Sequence, residues 1–486
     1  MRFSTLILLT LPIHIAAQSP VLQYDTLYAA QNPALAGNPA LYGLRQPCSL
    51  SEISVGFSRS IFDKAAIAEQ GKDCGIASFD AATYLHAGKA TITGFATYAN
   101  GKIFGVQGSE TSDATLLYPY YSADERGGDF KHERYVFGGS YSSSFATNWI
   151  YGAELSYQAV QDYRQRDPRP KNTIGKLDVK AAIGYSLAAY DIALAAKAEK
   201  YSQNNSIIFM SELGEDKIYH TTGLGTHYTR FAGLGKEAAY KGVAFGGEIS
   251  MAPKTAGVFA DIAYRHFHFT KHLIELNNLP LVKSDDNGID VAAGWQAPSW
   301  SAKIFGSHSS RKGHENIFGD PTGQVYPQIA TIDAFSLSQS TAGISGLWRR
   351  LSERYRIDTH AQLSYNQLTE KYLDLRGRSF KTLTAALGAE YVASFSRIYL
   401  HLAIGTCYTK VLSHSAFGFT DEDFLSVLAL QNYLTAAGDR FNIEFRPGLD
   451  YRLPKGRNIG LRLAAGYHKL KSIRGTTLQS AIIFSF

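Results

Sequence analysis

The stretch Tyr355-Arg356-Ile357-Asp358-Thr359-His360-Ala361-Gln362-Leu363-Ser364-Tyr365-Asn366 alternates without a break. In an extended chain Tyr355, Ile357, Thr359, Ala361, Leu363 and Tyr365 share one face, and Arg356, Asp358, His360, Gln362, Ser364 and Asn366 share the other. A soluble sandwich would turn the charged face to water and bury the apolar one. A transmembrane barrel does the reverse, with the apolar face in lipid and the polar face lining a lumen. Residues 441–453 repeat the device, with Phe441, Ile443, Phe445, Leu449, Tyr451 and Leu453 opposite Asn442, Glu444, Arg446, Asp450 and Arg452. So do residues 458–468, where Ile459, Leu461, Leu463, Ala465 and Tyr467 oppose Asn458, Arg462 and His468. Tyr355, Tyr365, Tyr451 and Tyr467 stand where interfacial aromatic girdles belong. The pattern predicts an all-β fold, a single transmembrane antiparallel β-barrel.

Composition agrees with that reading. Of 486 residues, 45% are hydrophobic and 19% charged, with 44 Gly, 30 Tyr and 27 Phe against 3 Met. This is a profile of strand formers. Mean hydropathy is −0.15, and no run of ~18 apolar residues follows the N-terminus, which excludes a polytopic helical membrane protein. The net charge of +6 is spread over single Lys and Arg residues, so no nucleic-acid partner is expected. Cys48, Cys74 and Cys407 lack metal-ligand spacing. No metal site, no cofactor and no catalytic residue is expected, and a Cys48–Cys74 disulfide and three free thiols both stay open.

Laying strands along the chain gives 53–65, 75–86, 88–107, 133–146, 148–163, 177–188, 190–204, 238–251, 255–270, 286–297, 300–310, 340–351, 354–369, 379–392, 396–410, 440–453, 458–470 and 476–486. That is about 18 strands, with 14 or 16 as alternatives. Even strands precede tight turns such as Pro298-Ser299 and Pro454-Lys455-Gly456, and odd strands precede longer loops. Short periplasmic turns and long extracellular loops are the asymmetry of a bacterial outer-membrane barrel. Four long loops are expected at 108–132, 205–237, 311–339 and 411–439. Within them Thr221 to Phe231 could form an extra strand, and Asp421 to Ala437 has helical spacing. An apparent phase change from Val258, Ala260, Ile262 and Tyr264 to Phe267 and Phe269 predicts a bulge near His266.

At the N-terminus, Arg2, an apolar core over residues 6–13 and Ala16-Ala17 read as a signal peptide, 1–17. Residues 18–52 then form a periplasmic or lumenal segment, and 53–486 the barrel. At the other end Leu478, Ile482, Phe484 and the terminal Phe486 share a face. This resembles the assembly signal of bacterial outer-membrane barrels. That resemblance implies the cell outer membrane as location, its lipids as surroundings and the barrel-assembly machinery as a partner in biogenesis. Asn32-Pro33-Ala34 and Asn38-Pro39-Ala40 resemble the segment before the barrel in FadL-type transporters and their relatives in type IX secretion. The resemblance implies a hatch formed by those six residues, and a barrel of 14 strands. Over its length the chain resembles Bacteroidota-type outer-membrane barrels, for which no activity is implied.

The lumen-facing positions expected to matter are Arg356, Asp358, His360, Glu390, His401, Glu444, Arg446, Asp450, Arg452 and Arg462. Both signs interleave, which favours a self-satisfying ionic network over a ring of one sign. Ser307-His308 and Ser413-His414-Ser415 are the clusters nearest to hydrolase chemistry, but sequence neighbours on a strand point to opposite faces. His266 and His268 share a face and supply at most two metal ligands. The expected function is a channel or transporter for small solutes, gated or plugged by the N-terminal segment and the loops. The alternative is a non-conducting binding or scaffold component of an uptake or secretion complex.

Overall fold

The computed structural model describes residues 31–145, 147–211, 216–323 and 325–486. The signal peptide expected over 1–17, and the following residues up to 30, lie outside the described residues. Eighteen strands form one sheet. They are β1 (Leu50–Phe62), β2 (Asp73–Ala87), β3 (Ala90–Val106), β4 (Gly128–Ser144), β5 (Trp149–Tyr163), β6 (Arg169–Ser186), β7 (Tyr190–Ile208), β8 (Glu237–Pro253) and β9 (Gly257–Leu273). The second half comprises β10 (Leu279–Ala297), β11 (Trp300–Phe318), β12 (Gln328–Leu351), β13 (Tyr355–Tyr372), β14 (Arg376–Phe395), β15 (Ile398–Phe417), β16 (Arg440–Arg452), β17 (Asn458–Leu470) and β18 (Ile473–Ser485). Each strand pairs antiparallel with the next, and β18 pairs with β1 from Glu52↔Ser485 to Phe62↔Gly475. The sheet therefore closes without an edge. Phe486 locks the seam, exchanging backbone hydrogen bonds with Ser51 at 2.9 and 3.0 Å.

The outer wall is apolar. Val55, Phe137, Leu194, Phe245, Ile304, Ile344 and Leu387 are each more than half exposed, an arrangement that fits lipid rather than water. All four tryptophans, Trp149, Trp295, Trp300 and Trp348, project outward beside short turns. They form one girdle, the interfacial position that suits an amphipathic ring. Tyr451 and Tyr467 are also exposed outside, whereas Tyr355 and Tyr365 are half-buried.

The count is 18, against the 14 that the transporter resemblance implied. Three sequence expectations change. First, residues 311–339 are mostly strand, because β11 and β12 rise past the apolar band and leave only 319–327 as their loop. Above lipid the outer face has no reason to be apolar, so Lys312 and His314 interrupted the pattern there. Second, not every odd strand is followed by a long loop: β13 and β14 join through 373–375, and β17 and β18 through 471–472. Third, there is no bulge at His266. The β8–β9 register runs unbroken from Ala238↔Leu273 to Met251↔Ala260, and the shift lies between Lys271 and His272 against β10. Phe267 and Phe269 belong to the lumenal face with Asp261 and Arg265, and both are fully buried.

This wall makes a definite prediction. Leu387→Arg, near the middle of β14, should destabilise folding into vesicles by ~2–4 kcal/mol, while lumenal Ala386→Ser should change it little. Urea-dependent folding equilibria in lipid vesicles measure the difference.

Candidate functional site

The lumen is occupied from both rims. At the short-turn rim the N-terminal segment lies against the wall as a short helix, Pro33–Gly37, and a 3-10 turn, Pro39–Leu44. Each begins at an Asn that caps it: the Asn32 and Asn38 side chains accept from Ala34 and Ala40 N–H, both at 3.2 Å, with Pro at the first helical position. The duplicated Asn-Pro-Ala is thus a duplicated helix start. The same two amides donate outward to the wall, Asn32 to Gln296 at 2.7 Å and Asn38 to Ser250 at 3.2 Å. Tyr42 donates to Glu154, and Lys180 donates to the Gly37 carbonyl and pairs with Glu248 at 3.2 Å. Ala34, Leu35, Ala40 and Leu41 are buried against Ala193, Ala252, Ile150 and Ala182. Gly152 on β5 makes room: a Cβ there would lie 2.3 Å from the Pro39 carbonyl.

The rest of that rim carries the ionic residues. Asp358 is bound by Arg349 at 2.7 Å and by Arg356 at 2.9 Å, and Arg356 reaches Glu390 at 2.5 Å. Asp450 is held by His401 at 2.8 Å and by Arg462. Arg452 covers the Tyr399 ring at 4.8 Å. Glu444 and Arg446 are only 3.9 Å apart and well exposed to the lumen. His360 sits over Gly388, the cross-strand neighbour whose Cβ would collide with its ring.

From the long-loop rim the loops fold inward. Residues Tyr219–Gly223 and Thr226–His227 do form short strands, and with Ser122–Ala123 they make a small sheet apart from the barrel. Leu117, Tyr120 and Phe231 of the loops pack with Tyr201, Tyr240, Phe267, Phe269, Phe318 and Phe335 of the wall. This explains the lumenal phenylalanines of β9, whose partners are loop side chains. Gly313 on β11 leaves space that Tyr120 fills. The helix Phe424–Ala436 buries Leu425 against Tyr121 and Tyr219 of these loops and sets Tyr433 against Phe380 of the wall.

One anchor of this outer plug is unusual. The Glu110 carbonyl accepts from Asn172 at 2.9 Å and Asn205 at 2.7 Å, fixing the loop to β6 and β7. Its carboxyl is fully buried and, among the described residues, meets no hydrogen-bonding amide or cation. Beside it Asp124 is bound by Arg164 at 2.5 Å, and Asp216, paired with Arg126 at 2.9 Å, is the more distant charge. Burial, then Asp124, push the Glu110 carboxyl well above the carboxylate range, opposed by Arg164. The folded loop therefore holds a proton that the opened loop would release. Its closure is tightest below the ordinary carboxylate value and weakens as pH rises from there. Hydrogen–deuterium exchange over 107–127, corrected for the base-catalysed intrinsic rate, should show lower protection factors at pH 8 than at pH 5, and Glu110→Gln should flatten that dependence.

Beneath the inward-folded loops lies a chamber of about 890 Å³. Glu69, Tyr118, Tyr121 and Asn432 contribute from the loops, and Arg311, Asn366, Glu370, Arg378 and Thr384 from the wall. Of these only Asn366 was marked by the sequence, on the polar face of 355–366. The wall charges were legible in principle, since Lys176-Leu177-Asp178-Val179-Lys180 alternates as clearly as 355–366. Lys176, Asp178, Lys197, Glu199 and Arg265 form a second ionic lattice on β6, β7 and β9, with contacts of 3.0–3.9 Å.

Of the remaining candidates, His266 and His268 face outward and both meet Asp285, at 3.8 and 3.0 Å, with His266 also on Asn287 at 3.0 Å. His308 hydrogen-bonds Ser340, and His414 bonds the Tyr433 hydroxyl. Among the described residues no cluster of His, Cys, Asp and Glu could hold a metal. Cys48 and Cys74 are not joined by a disulfide.

A closed antiparallel barrel with an apolar exterior and a plugged polar lumen is a membrane protein of the bacterial outer-membrane type. The chain belongs to the family described as family of unknown function (DUF6850), which matches residues 39–486. Among solved structures it is similar to the ferric preacinetobactin receptor BauA of Acinetobacter baumannii, at 9% identity and a TM-score of 0.40 over 90% of this chain and 80% of that one. It is similar to the outer membrane transporter YddB of Escherichia coli, at 7% identity and 0.40 over 90% and 81%. It is also similar to the CymD monoaromatic hydrocarbon channel, at 10% identity and 0.32 over 96% and 97%. Likenesses this distant say nothing about a solute. No curated protein matches the chain.

Proposed function

We propose that this barrel resides in the cell outer membrane as a channel or transporter for small solutes. Its N-terminal segment is the hatch of the inner rim, and its loops are the cover of the outer one. The observation that carries the reading is the way the segment is held. Asn32, Asn38, Tyr42 and the Gly37 carbonyl bind wall residues through individual hydrogen bonds, each worth only ~0.5–1.5 kcal/mol net or somewhat more where charge is involved. The apolar patch beneath it is small, built largely of alanine and leucine. Such an attachment is reversible. The wall around it, closed by 18 paired strands, is not.

Insertion proceeds through the barrel-assembly machinery, with Leu478, Ile482, Phe484 and Phe486 on the last strand as its signal. The short-turn rim with its tryptophan girdle faces the periplasm, where the segment meets a component of an uptake or secretion complex.

Planar-bilayer recording tests the reading. The intact protein should conduct rarely, and deletion of residues 20–43 should raise its conductance. Gly152→Leu, which puts a side chain where Pro39 now lies, should give an intermediate result. Persistent silence of well-folded barrels in all three forms would favour the non-conducting scaffold instead.

A further inference from the structure

The chamber has a chemistry that narrows what it can hold. Its charged lining comprises four arginines, Arg265, Arg311, Arg378 and Arg440, and four carboxylates, Glu69, Asp286, Asp290 and Glu370. The formal charges cancel. Most are already committed: Arg311 forks onto Asp286 at 2.7 and 2.5 Å, Arg378 holds Glu370 at 2.5 Å, and Arg265 holds Glu199 at 3.0 Å. Glu69 accepts from the Tyr121 hydroxyl at 3.0 Å and from Asn432 at 2.8 Å. An ionic solute bound at Arg265, Arg311 or Arg378 would have to pull that pair apart and strand its partner, which is the costly way to break an ion pair, while Arg440, which donates to the Ala436 carbonyl at 3.2 Å, and Asp290 add one charge of each sign.

Beside the Arg378–Glu370 pair the wall presents an uncharged, hydrogen-bonding stretch. On β12 to β15, Gln339, Thr341, Ser364, Asn366, Thr384 and Thr409 face the chamber. They occupy adjacent ladder positions, such as Thr341↔Asn366, Ser364↔Thr384 and Thr384↔Thr409. Two pairs bond each other at 2.9 Å, Asn366 to Thr341 and Thr384 with Thr409. Hydroxyls and amides keep further donor and acceptor capacity after one such bond. A hydrocarbon would desolvate that wall without replacing its water, at ~1–3 kcal/mol for each group left unsatisfied. Leu337, Leu368, Phe380 and Leu425 supply apolar patches between the polar groups.

We infer that the solute of this chamber is an uncharged, polyhydroxylated molecule, a sugar or short oligosaccharide, read by the hydroxyl–amide wall of β12–β15 and by the outward edges of the Arg–carboxylate forks. Such a molecule offers a donor and an acceptor at every hydroxyl and an apolar ring face, and it disturbs no ion pair. The chamber volume of about 890 Å³ lies in the range of small-molecule sites, ~300–1,000 Å³. The inference rests on the channel reading above and names the class of solute for it.

Cysteine protection tests it. Thr384→Cys is placed in a Cys48→Ser, Cys74→Ser, Cys407→Ser background, and the rate of modification by the neutral reagent methyl methanethiosulfonate is followed on the detergent-solubilised barrel. Saturating raffinose should slow modification by about fivefold or more, as occupancy of the site requires, and sodium glutamate or lysine hydrochloride at the same concentration should have little effect. Protection by a charged probe equal to or greater than that by raffinose overturns the solute class, and so does the absence of protection by raffinose. Protection without conductance in bilayers overturns passage and leaves the chamber chemistry standing. Conductance without protection does the opposite.

Discussion

A backbone inside lipid has no water to bond, so every amide and carbonyl must find its partner within the chain. That constraint governs the rest of this molecule. It demands a sheet without edges, and the pairing of β18 with β1 meets it. Once the wall is closed, side chains must divide between two solvents, and strict alternation follows. Lipid receives residues such as Phe245 and Ile304, and the lumen receives Asp358, Glu199 and Arg265. Charges turned inward in that number cannot stay unpaired in a confined space. The ionic lattices on β6–β9 and β12–β17 are the outcome, and they stiffen the wall against which both plugs rest.

The same constraint explains where the sequence was legible. A wall residue sees lipid or lumen according to parity alone, so Tyr355 to Asn366 revealed its two faces at sight, and 18 strands could be placed from the repeat. Legibility failed where parity stopped predicting environment. At Phe267 and Phe269 the lumen is not wet but filled by Tyr120 and its neighbours, so apolar residues appear on the polar face. At Lys312 and His314 the wall has left the membrane, so polar residues appear on the outer face. Both departures mimic a loop or a bulge in one dimension. The chamber was harder still, because its lining is assembled from Glu69, Tyr118, Asn366 and Asn432, residues brought together only by inward-folding loops.

Glycine has a particular part in this. Gly152 and Gly313 are lumenal wall positions where a missing Cβ is occupied by Pro39 and Tyr120 respectively. Each marks the place where a plug, rather than solvent, meets the strand. A barrel of open lumen would gain from a side chain at either site. The two glycines therefore record in the wall sequence the docking of segments that lie far away along the chain.

The path of the N-terminal segment has a mechanical consequence. Its contacts step round the wall in reverse chain order: Gln31 meets Ser345 on β12, Asn32 meets Gln296 on β10, Asn38 meets Ser250 on β8, Tyr42 meets Glu154 on β5, and the Tyr42 carbonyl accepts from Tyr84 on β2. Gln31, the first described residue, therefore lies on the β12 side of the barrel, remote from the β1–β18 seam. Tension applied at Gln31 loads the Gln31–Ser345 bond first and the Tyr42 contacts last. Loaded from that end, the bonds part in series like a peeled strip instead of failing together in shear, and the seam bears none of the load.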